Sequence, residues 1–438
     1  MSSRRSPSHD ELSVHPLVEA AVRGLAGRKK VFLVKAPPGS GKTTLLLGVL
    51  RELQAKGKRL AVGTQTNSQA DDLCERWVRF GLGPITRLVS GSDDAVRSSG
   101  IAVCTSADDL PSGSCIVVAN TKKWAWTQDV DPFDILFVDE AWQMSWADFA
   151  ALPHVADTFM LIGDPGQIQP IVTVDTSRWE VAPVGPHRAA PEVLIERGIG
   201  KVEAIDHTWR LPFDTTGLVK GFYDFDFSAK VRSGDRRLLV EPKQRGPIAD
   251  LLVRSADASV VAATRSMPAG GTVSDDDPEL AMDVATVVDA ILRAKARIEI
   301  DGVATDIDPG RIGVVATHRV MLSSIRDRLS NLAHDVMLET PERWQGLERP
   351  VMVAVHPLSA TTSPSEFDLA TGRLCVMASR HKVALLLLSR DHVPATLLEN
   401  RPEATQAPSR PDEVGRGHAR HVDFWRSIEN AGHVVKLR

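Results

Sequence analysis

Apolar residues occur along this chain in two alternating patterns. Short unbroken runs, such as Val31–Lys35 and the ILFV that precedes Asp139, are typical of strands buried in a parallel sheet. Between such runs lie longer stretches whose apolar residues recur at helical spacing; one begins near Lys42 and is ended by Gly57. The alternation predicts an α/β fold with doubly wound parallel sheets, covered by helices on both faces.

The length of the chain and its Pro-rich segments predict two main domains. A chain of 438 residues has room for two or three domains of roughly 100 to 200 residues each. The segment 173–191 is rich in Pro and lacks periodicity, so we expect one domain over residues 1–178 and a second over residues 179–398. Residues 399–438 are predicted to form a linker and a short amphipathic helix near Val422–Asn430, which could bind a protein partner.

Composition narrows the class of protein without naming a function. The apolar fraction of 43% and the charged fraction of 25% are those of an ordinary globular chain. A net charge of -4 neither requires nor excludes a nucleic-acid partner, because a local basic groove can lie on an acidic protein. No apolar run approaches the roughly 18 residues of a membrane span, and no signal-peptide core follows the polar start. With four cysteines and no CxxC pair, we expect a cytoplasmic protein with reduced thiols and no membrane partner.

The stretch VFLVKAPPGSGKTTLL has the order of a phosphate-binding loop, namely a strand, a glycine turn and a helix. Backbone N–H groups around Gly39 and Gly41 can surround phosphate oxygens, and Lys42 can reach the β and γ phosphates. Ala36 stands where such loops usually begin with glycine, but that position needs only a small residue. The residues predicted to bind ATP here are Gly39, Ser40, Gly41, Lys42, Thr43 and Thr44, with the Thr43 hydroxyl also assigned to Mg²⁺.

Two adjacent carboxylates end the next strong strand. Asp139 is predicted to hold the magnesium ion, and Glu140 to orient and deprotonate the water that attacks the γ phosphate. A solvated acidic turn is the alternative. It fits less well, because the preceding strand is wholly apolar and ligands gather at the carboxyl ends of parallel strands.

The stretches DEAWQ and GDPGQIQP follow the phosphate loop in order, and together they resemble motifs II and III of the superfamily 1 helicases. Within that family they are most similar to the RecD-like and nonsense-mediated-decay-type enzymes. The resemblance implies two tandem RecA-like domains with few or small accessory insertions. It also implies that Gln143 and Gln167 sense the γ phosphate and couple it to a nucleic-acid groove.

Two further stretches, VGTQTNSQADDL and VVANTKKWAW, resemble motifs that line the nucleic-acid groove in this family. They imply that Thr66, Asn67 and Thr121 contact the backbone of the nucleic acid. Taken by their residues alone, both stretches fit an ordinary strand-to-helix turn equally well.

The second half of the chain supplies the remaining motifs. HTWRLP, RIGVVATHRV, PERWQGLERP and MASRH resemble the element after motif III and motifs IV, V and VI. By this resemblance Arg210 and Arg380 bind the γ phosphate when the two domains close, which would drive a motor stroke. Ser379 and His381 depart from the family, which usually has Thr and Ala there. The resemblance also assigns Thr317, His318 and Gln345 to nucleic acid, and Gly346 and Glu348 to the nucleotide.

Several of the nine tryptophans lie beside these motifs. Trp124, Trp126 and Trp344 could stack on bases, but packing in a core or between domains is favoured for each. Trp142 and Trp146, four residues apart, are predicted to be core-packing residues on one face of a helix.

These patterns favour an ATP- and Mg²⁺-dependent motor of superfamily 1B that moves on single-stranded DNA or RNA, 5′ to 3′ by resemblance. The alternative is an ATP switch that senses nucleic acid and recruits partners without moving along it. A P-loop kinase or AAA-type remodeller explains less, because it needs none of the second-half motifs. The predicted catalytic residues are Lys42, Glu140, Gln143, Gln167, Arg210 and Arg380.

Overall fold

The computed structural model describes residues 15–27, 30–91, 99–241, 245–403 and 412–437. The chain forms two compact units. Unit 1 comprises Met1–Pro165 and Gln169–Ile205, and unit 2 comprises Gly166–Ile168 and Asp206–Arg438.

A wholly parallel sheet of eight strands forms the centre of unit 1, in the order β4-β3-β5-β2-β6-β7-β1-β8. Its strands are β1 (Val31–Lys35), β2 (Arg59–Thr64), β3 (Ile85–Leu88), β4 (Ile101–Cys104), β5 (Cys115–Asn120), β6 (Ile135–Val138), β7 (Phe159–Gly163) and β8 (Lys201–Ala204). The helices are α1 (Leu17–Gly24), α2 (Lys42–Ala55), α3 (Asn67–Arg79), α4 (Thr121–Trp126), α5 (Trp146–Ala150) and α6 (Ala190–Glu196).

Helices cover both faces of this sheet, as the unbroken apolar strands require. Successive residues of a strand point to opposite faces, and in β1 Phe32 and Val34 join one core cluster while Leu33 joins another. All three side chains are fully buried. The strand β1 and the helix α2 therefore confirm the elements predicted around the phosphate loop.

Unit 2 has a second parallel sheet, of six strands in the order β16-β15-β17-β18-β12-β19. A short pair, β9 with β10, and an antiparallel sheet in the order β11-β13-β14 are the small additions to it. The strands are β9 (His207–Thr208), β10 (Ser228–Ala229), β11 (Arg236–Leu239), β12 (Val260–Arg265), β13 (Arg297–Ile300), β14 (Val303–Asp306), β15 (Ile312–Val315), β16 (Met337–Glu339), β17 (Arg349–Val355), β18 (His381–Arg390) and β19 (Val434–Leu437).

The helices of unit 2 again cover both faces of its large sheet, with one core cluster on each side. They are α7 (Phe213–Val219), α8 (Pro247–Arg254), α9 (Pro278–Arg293), α10 (Arg319–Arg326), α11 (Pro341–Trp344), α12 (Thr371–Ala378), α13 (Val393–Glu399) and α14 (Glu413–Asn430). Two parallel sheets wrapped by helices confirm the predicted class of tandem doubly wound α/β domains.

The boundary between the units lies at Ile205, not at residue 178 as the Pro-rich segment suggested. The physical reason is β8, which pairs in parallel with β1 and so completes the sheet of unit 1. The loop Gly166–Ile168 belongs instead to unit 2.

The C-terminal segment 412–437 contains the predicted helix and is part of unit 2. The helix α14 is longer than predicted and buries Phe424, Trp425 and Ile428, while β19 adds an edge strand beside β12. Most of the predicted linker, residues 404–411, lies outside the described residues. No helix within the described ranges is long and apolar enough to cross a membrane.

The tryptophans separate clearly by burial. Trp124 and Trp344 are fully buried and donate their indole N–H groups to the carbonyls of Val62 and Val314, at 2.8 and 3.0 Å. Trp142 is also buried, which confirms core packing for these three, whereas Trp126 is 83% exposed.

Candidate nucleotide and nucleic-acid site

The loop between β1 and α2 has the backbone shape of a phosphate-binding turn. Gly39 and Gly41 have positive φ angles of 70° and 89°, which L-residues rarely adopt. No atom lies within 4 Å of the place where a side chain of Gly41 would begin, so a ligand can approach the backbone closely. Among the described residues, no side chain caps the start of α2, which leaves its first N–H groups available to an anion. The buried Ser40 hydroxyl likewise makes no hydrogen bond within the described protein.

Lys42 opens α2 and faces a group of carboxylates. Its Nζ forms an ion pair with Glu140 and lies 3.6 Å from Oδ1 of Asp139. Burial alone would lower the pKa of Lys42, but the carboxylates of Glu140, Asp139 and Asp164 raise it above its ordinary value. The lysine is therefore charged and held beside the loop.

The carboxylates stand on a tight turn after β6. The backbone N–H of Glu140 donates to Oδ1 of Asp139 at 2.9 Å, and the N–H of Asp139 donates to the carbonyl of Gly63 at 2.9 Å. Glu140 has a left-handed φ of 53°, an uncommon conformation for a residue with a side chain. Burial raises the pKa of Asp139, and the charge of Lys42 opposes that rise.

A glycine brings this turn against the neighbouring strand. A Cβ at Gly163, the last residue of β7, would lie 2.9 Å from the backbone nitrogen of Ala141. Because glycine has no side chain, the turn after β6 can approach the end of β7 this closely. The next residue, Asp164, is buried and its charge reaches Lys42.

Thr43 and Asp139 are the residues predicted to hold magnesium. Within the described ranges no group of three or more His, Cys, Asp or Glu side chains could hold a metal ion by itself. Mg²⁺ bound with a nucleotide keeps several waters and needs only one or two protein ligands besides the phosphates. A hydroxyl on the first turn of α2 and a carboxylate near Lys42 match that requirement.

Gln143, predicted to sense the γ phosphate, lies in a short 3-10 helix, Ala141–Gln143, directly after the acidic turn. Its Nε2 is buried and has no hydrogen-bond partner within the described protein. A buried amide without a partner is costly, so this donor is available to a ligand.

The residues predicted to contact nucleic acid in unit 1 follow the ends of β2 and β5. Thr66 is the N-cap of α3, where its hydroxyl accepts from the N–H of Gln69 at 3.3 Å. The Oδ1 atom of the exposed Asn67 accepts from Nη2 of Arg87 at 3.0 Å and from Nδ2 of Asn120 at 2.6 Å.

Thr121 differs from the other two because it is buried, with 5% of its surface exposed. Its methyl group lies 3.1 Å from the place where a Cβ of Gly63 would be. The structure therefore gives Thr121 a packing contact and leaves the neighbouring Lys122 exposed.

In unit 2, Arg210 is held by an acidic residue that the sequence assigned to the nucleotide. Its Nε lies 2.7 Å from Oε2 of Glu348, which also forms an ion pair with Lys382. Burial would raise the pKa of Glu348, but the charges of Arg210 and Lys382 lower it to about 2. Glu348 therefore anchors Arg210 in this structure.

A second arginine fixes the backbone around Arg210. The guanidinium of Arg236, in β11, donates to the carbonyls of Trp209 and Arg210, and to that of Lys382 at 3.4 Å. Through Arg236, the three-stranded sheet is thus hydrogen-bonded directly to the backbone of Arg210 and Lys382.

His381 begins β18, the longest strand of the unit, and Arg380 directly precedes it; both are buried. His381 Nε2 lies 2.7 Å from the hydroxyl of Thr215, which in turn lies 2.6 Å from the hydroxyl of Ser259. Burial lowers the pKa of His381 to about 4 despite the nearby carboxylate of Asp214, so the ring is neutral near pH 7. The histidine that departs from the family pattern is a buried hydrogen-bonding residue.

The remaining predicted residues of unit 2 lie at the ends of strands and in turns. Thr317 and His318 follow β15, and His318 Nε2 lies 3.4 Å from Oδ1 of Asp275. Gln345 has a buried Nε2 without a partner in the described protein, and Gly346 turns the chain with a φ of 77°.

Gln167 is buried in unit 2 against α12. A Cβ at Gly372 would lie 2.6 Å from the carbonyl oxygen of Gln167, so the two backbones are in close contact.

The chain is similar to several known proteins. Residues 18–179 match the family model described as an AAA domain. The chain is 26% identical over 172 residues to DNA replication ATP-dependent helicase/nuclease JHS1 of Arabidopsis thaliana, covering 36% of this chain and 12% of that protein. It is 21% identical over 397 residues to DNA replication ATP-dependent helicase/nuclease DNA2 of Homo sapiens, covering 82% of this chain and 35% of that protein. A solved complex of the Arterivirus nonstructural protein 10 (helicase) with DNA shares 15% identity, with a TM-score of 0.44, covering 85% of this chain and 63% of that chain.

The chain is similar to proteins named as ATP-dependent helicases. It spans about a third or less of the length of the curated relatives it matches. The matched range contains the phosphate loop, the acidic turn and the residues of unit 1 that are predicted to contact nucleic acid.

Sequence reasoning missed three polar residues in and around the candidate site. Asp164 follows a buried strand directly, in the same way as Asp139, and that position was a usable signal. Arg87 and Arg236 had none, because each lies in a strand outside the motifs and reaches its partners only in the folded chain.

Proposed function

We propose that the chain is an ATP- and Mg²⁺-dependent motor of superfamily 1B that moves 5′ to 3′ on single-stranded nucleic acid. The observation that carries the proposal is Lys42, ion-paired with Glu140 beside Asp139 at the uncapped start of α2. The arrangement supports the proposal because a charged lysine at a helix N-terminus attracts phosphate and the adjacent carboxylate can act as a base.

The hydrolytic step follows from these residues. Lys42 and the loop N–H groups bind the β and γ phosphates, and Thr43 with Asp139 would hold Mg²⁺, which neutralises phosphate charge when bound. Glu140 accepts a proton from the water that attacks the γ phosphorus, and ADP leaves with the electron pair of the broken bond. Gln143, Gln167, Arg210 and Arg380 are proposed to bind the γ phosphate.

Single-stranded DNA is the first substrate to test, because the curated relatives are named for DNA replication. The proposed contacts with the strand are Thr66 and Asn67 in unit 1 and Thr317, His318 and Gln345 in unit 2.

Burial of all four cysteines as free thiols supports a cytoplasmic location. A protein partner of the C-terminal segment would contact the outer face of α14, where Arg426 and Glu429 are exposed.

The central test is the Lys42→Ala variant. Loss of the charge that binds the γ phosphate is expected to lower ATP turnover about 100-fold or more. Phosphate release is measured with and without single-stranded DNA or RNA, and Lys56→Ala, at the far end of the same helix, is the control. Wild-type turnover by Lys42→Ala would overturn the proposal.

A second measurement separates a motor from an ATP switch. A motor displaces a label from the end of a single strand in an ATP-dependent manner, and strands labelled at either end report the direction. ATP hydrolysis that depends on nucleic acid but moves no label would instead favour the switch.

A further inference from the structure

A buried arginine lies behind the predicted nucleic-acid contacts of unit 1. Arg87, in β3, is 1% exposed. Its Nε donates to Oδ1 of Asp71 at 2.8 Å, its Nη1 to the carbonyl of Leu88 at 2.7 Å, and its Nη2 to Oδ1 of Asn67 at 3.0 Å. The guanidinium thus links the sheet to two residues in the first half of α3.

The hydrogen-bond chemistry of this network fixes the orientation of two amide groups. The backbone N–H of Lys123 can only donate, and it donates to Oδ1 of Asn120 at 2.7 Å. Nδ2 of Asn120 is therefore the atom that faces Asn67, where it donates to Oδ1 at 2.6 Å.

The contact with Arg87 independently fixes the orientation of the Asn67 amide. A guanidinium has no acceptor, so the atom of Asn67 that meets Arg87 must be the carbonyl oxygen. Two donors from different strands converge on this one oxygen. Asn67 is exposed, and its amide N–H groups donate to no other residue in the described part of the chain.

We propose that Arg87 and Asn120 are positioning residues that turn the amide of Asn67 so that it presents N–H donors to a phosphate of the nucleic-acid backbone. The inference rests on the proposed function. Backbone phosphate oxygens only accept hydrogen bonds, so an amide in the opposite orientation would place its oxygen against them. The network thereby selects an anionic acceptor at this position, independently of base identity.

The first experiment replaces the amide and leaves the network in place. In Asn67→Asp one carboxylate oxygen still accepts from Arg87 and Asn120, and an acidic residue at the start of α3 suits the helix dipole. The melting temperature is therefore expected to stay the same or rise. The second oxygen repels phosphate, and affinity for a fluorescein-labelled oligo-dT strand is expected to fall about 100-fold, against about tenfold for Asn67→Ala.

The matched control is Asn331→Asp, which adds the same charge at an exposed asparagine of unit 2. It is expected to bind the strand within about twofold of the wild type. If the wild type binds no single strand, the proposed function fails. If the wild type binds and Asn67→Asp binds as tightly, only the orientation proposal is overturned.

The second experiment tests whether Arg87 acts through Asn67. Arg87→Lys keeps the charge but loses the planar fork that reaches both Asp71 and Asn67. Its binding is expected to weaken about tenfold, and the double variant Arg87→Lys/Asn67→Ala should bind like Asn67→Ala alone. Additive losses in the double variant would mean that the arginine only stabilises the fold, which overturns the positioning role.

Discussion

Glu140 combines an uncommon backbone conformation with a buried charged contact. Its left-handed φ and its ion pair with Lys42 place the carboxylate at the phosphate loop, and strained residues of this kind cluster at functional sites. The side chain is therefore held where a general base would be needed.

Glu140→Gln keeps the size of the side chain but removes the base. ATP turnover is expected to fall about 100- to 10,000-fold while a fluorescent ATP analogue still binds, because Lys42 and the loop are intact. Turnover and binding are measured together, with Glu429→Gln on an exposed face of α14 as control. Turnover near the wild-type rate would exclude Glu140 as the base.

At this scale the sequence was informative wherever a residue's role depends on its neighbours in the chain. Gly39 and Gly41 have the positive φ angles of a glycine turn, and Lys42 begins the helix that the loop pattern predicts. Arg87 could not be found, because its partners on α3 are brought near only by folding. Glu348 was assigned to the nucleotide, whereas in this structure it anchors Arg210.

Helix α14 approaches the rest of unit 2 through a glycine. A Cβ at Gly417 would lie 2.0 Å from the carbonyl oxygen of Leu369, which is too close for any side chain. The contact explains why a helix with a glycine in its interior is nevertheless firmly packed.

Gly417→Ala is expected to destabilise unit 2 by about 1 to 3 kcal/mol, although alanine favours helices. Gly217→Ala in α7 is the matched control, since no atom lies within 4 Å of its Cβ position and the residue is exposed. That variant should gain up to about 1 kcal/mol. Thermal melts of both variants measure the difference, and equal shifts of the same sign would contradict the close contact.

The C-terminal elements also show why their sequence was hard to interpret. Polar and glycine residues on α14 resemble a solvated helix, yet His418 and His421 are buried. Only the pairing of β19 with β12 and the burial of Trp425 reveal that this segment completes the second sheet.

At the scale of the whole molecule, a group of buried histidines lies in unit 2. The rings of His356 and His421 lie 5.3 Å apart, with His418, His392 and Trp425 around them. Burial and neighbouring His418 lower the pKa of His421 to about 3. Burial, together with the neighbouring rings of His421 and His392, lowers the pKa of His356 well below its ordinary value of 6.5.

Stability should therefore fall in mild acid. Below pH 6.5 these histidines bind protons in the unfolded chain but stay neutral in the folded one. The free energy of unfolding therefore decreases from about pH 6.5 down to about pH 3. The loss is about 1.4 kcal/mol per pH unit for each such histidine. Melting temperatures between pH 7.5 and pH 5 measure the slope, and His421→Phe should flatten it. An unchanged slope would contradict the shifted pKa.

The general architecture could be predicted because two alternating patterns repeat over the whole chain. The division at Ile205 could not, because β8 joins its sheet across a Pro-rich segment that carries no periodicity. Long-range pairing of this kind leaves no mark on local composition.

The four cysteines have a practical consequence for measuring movement. All are buried, and burial raises the pKa of Cys74 to about 12 and of Cys104 to about 11, so their thiolates are scarce at neutral pH. A new thiol at an exposed position, such as Lys56→Cys or Arg326→Cys, would react with a maleimide dye far faster. Each unit can thus carry its own fluorophore while every native cysteine stays in place, which opens the proposed ATP cycle to single-molecule observation.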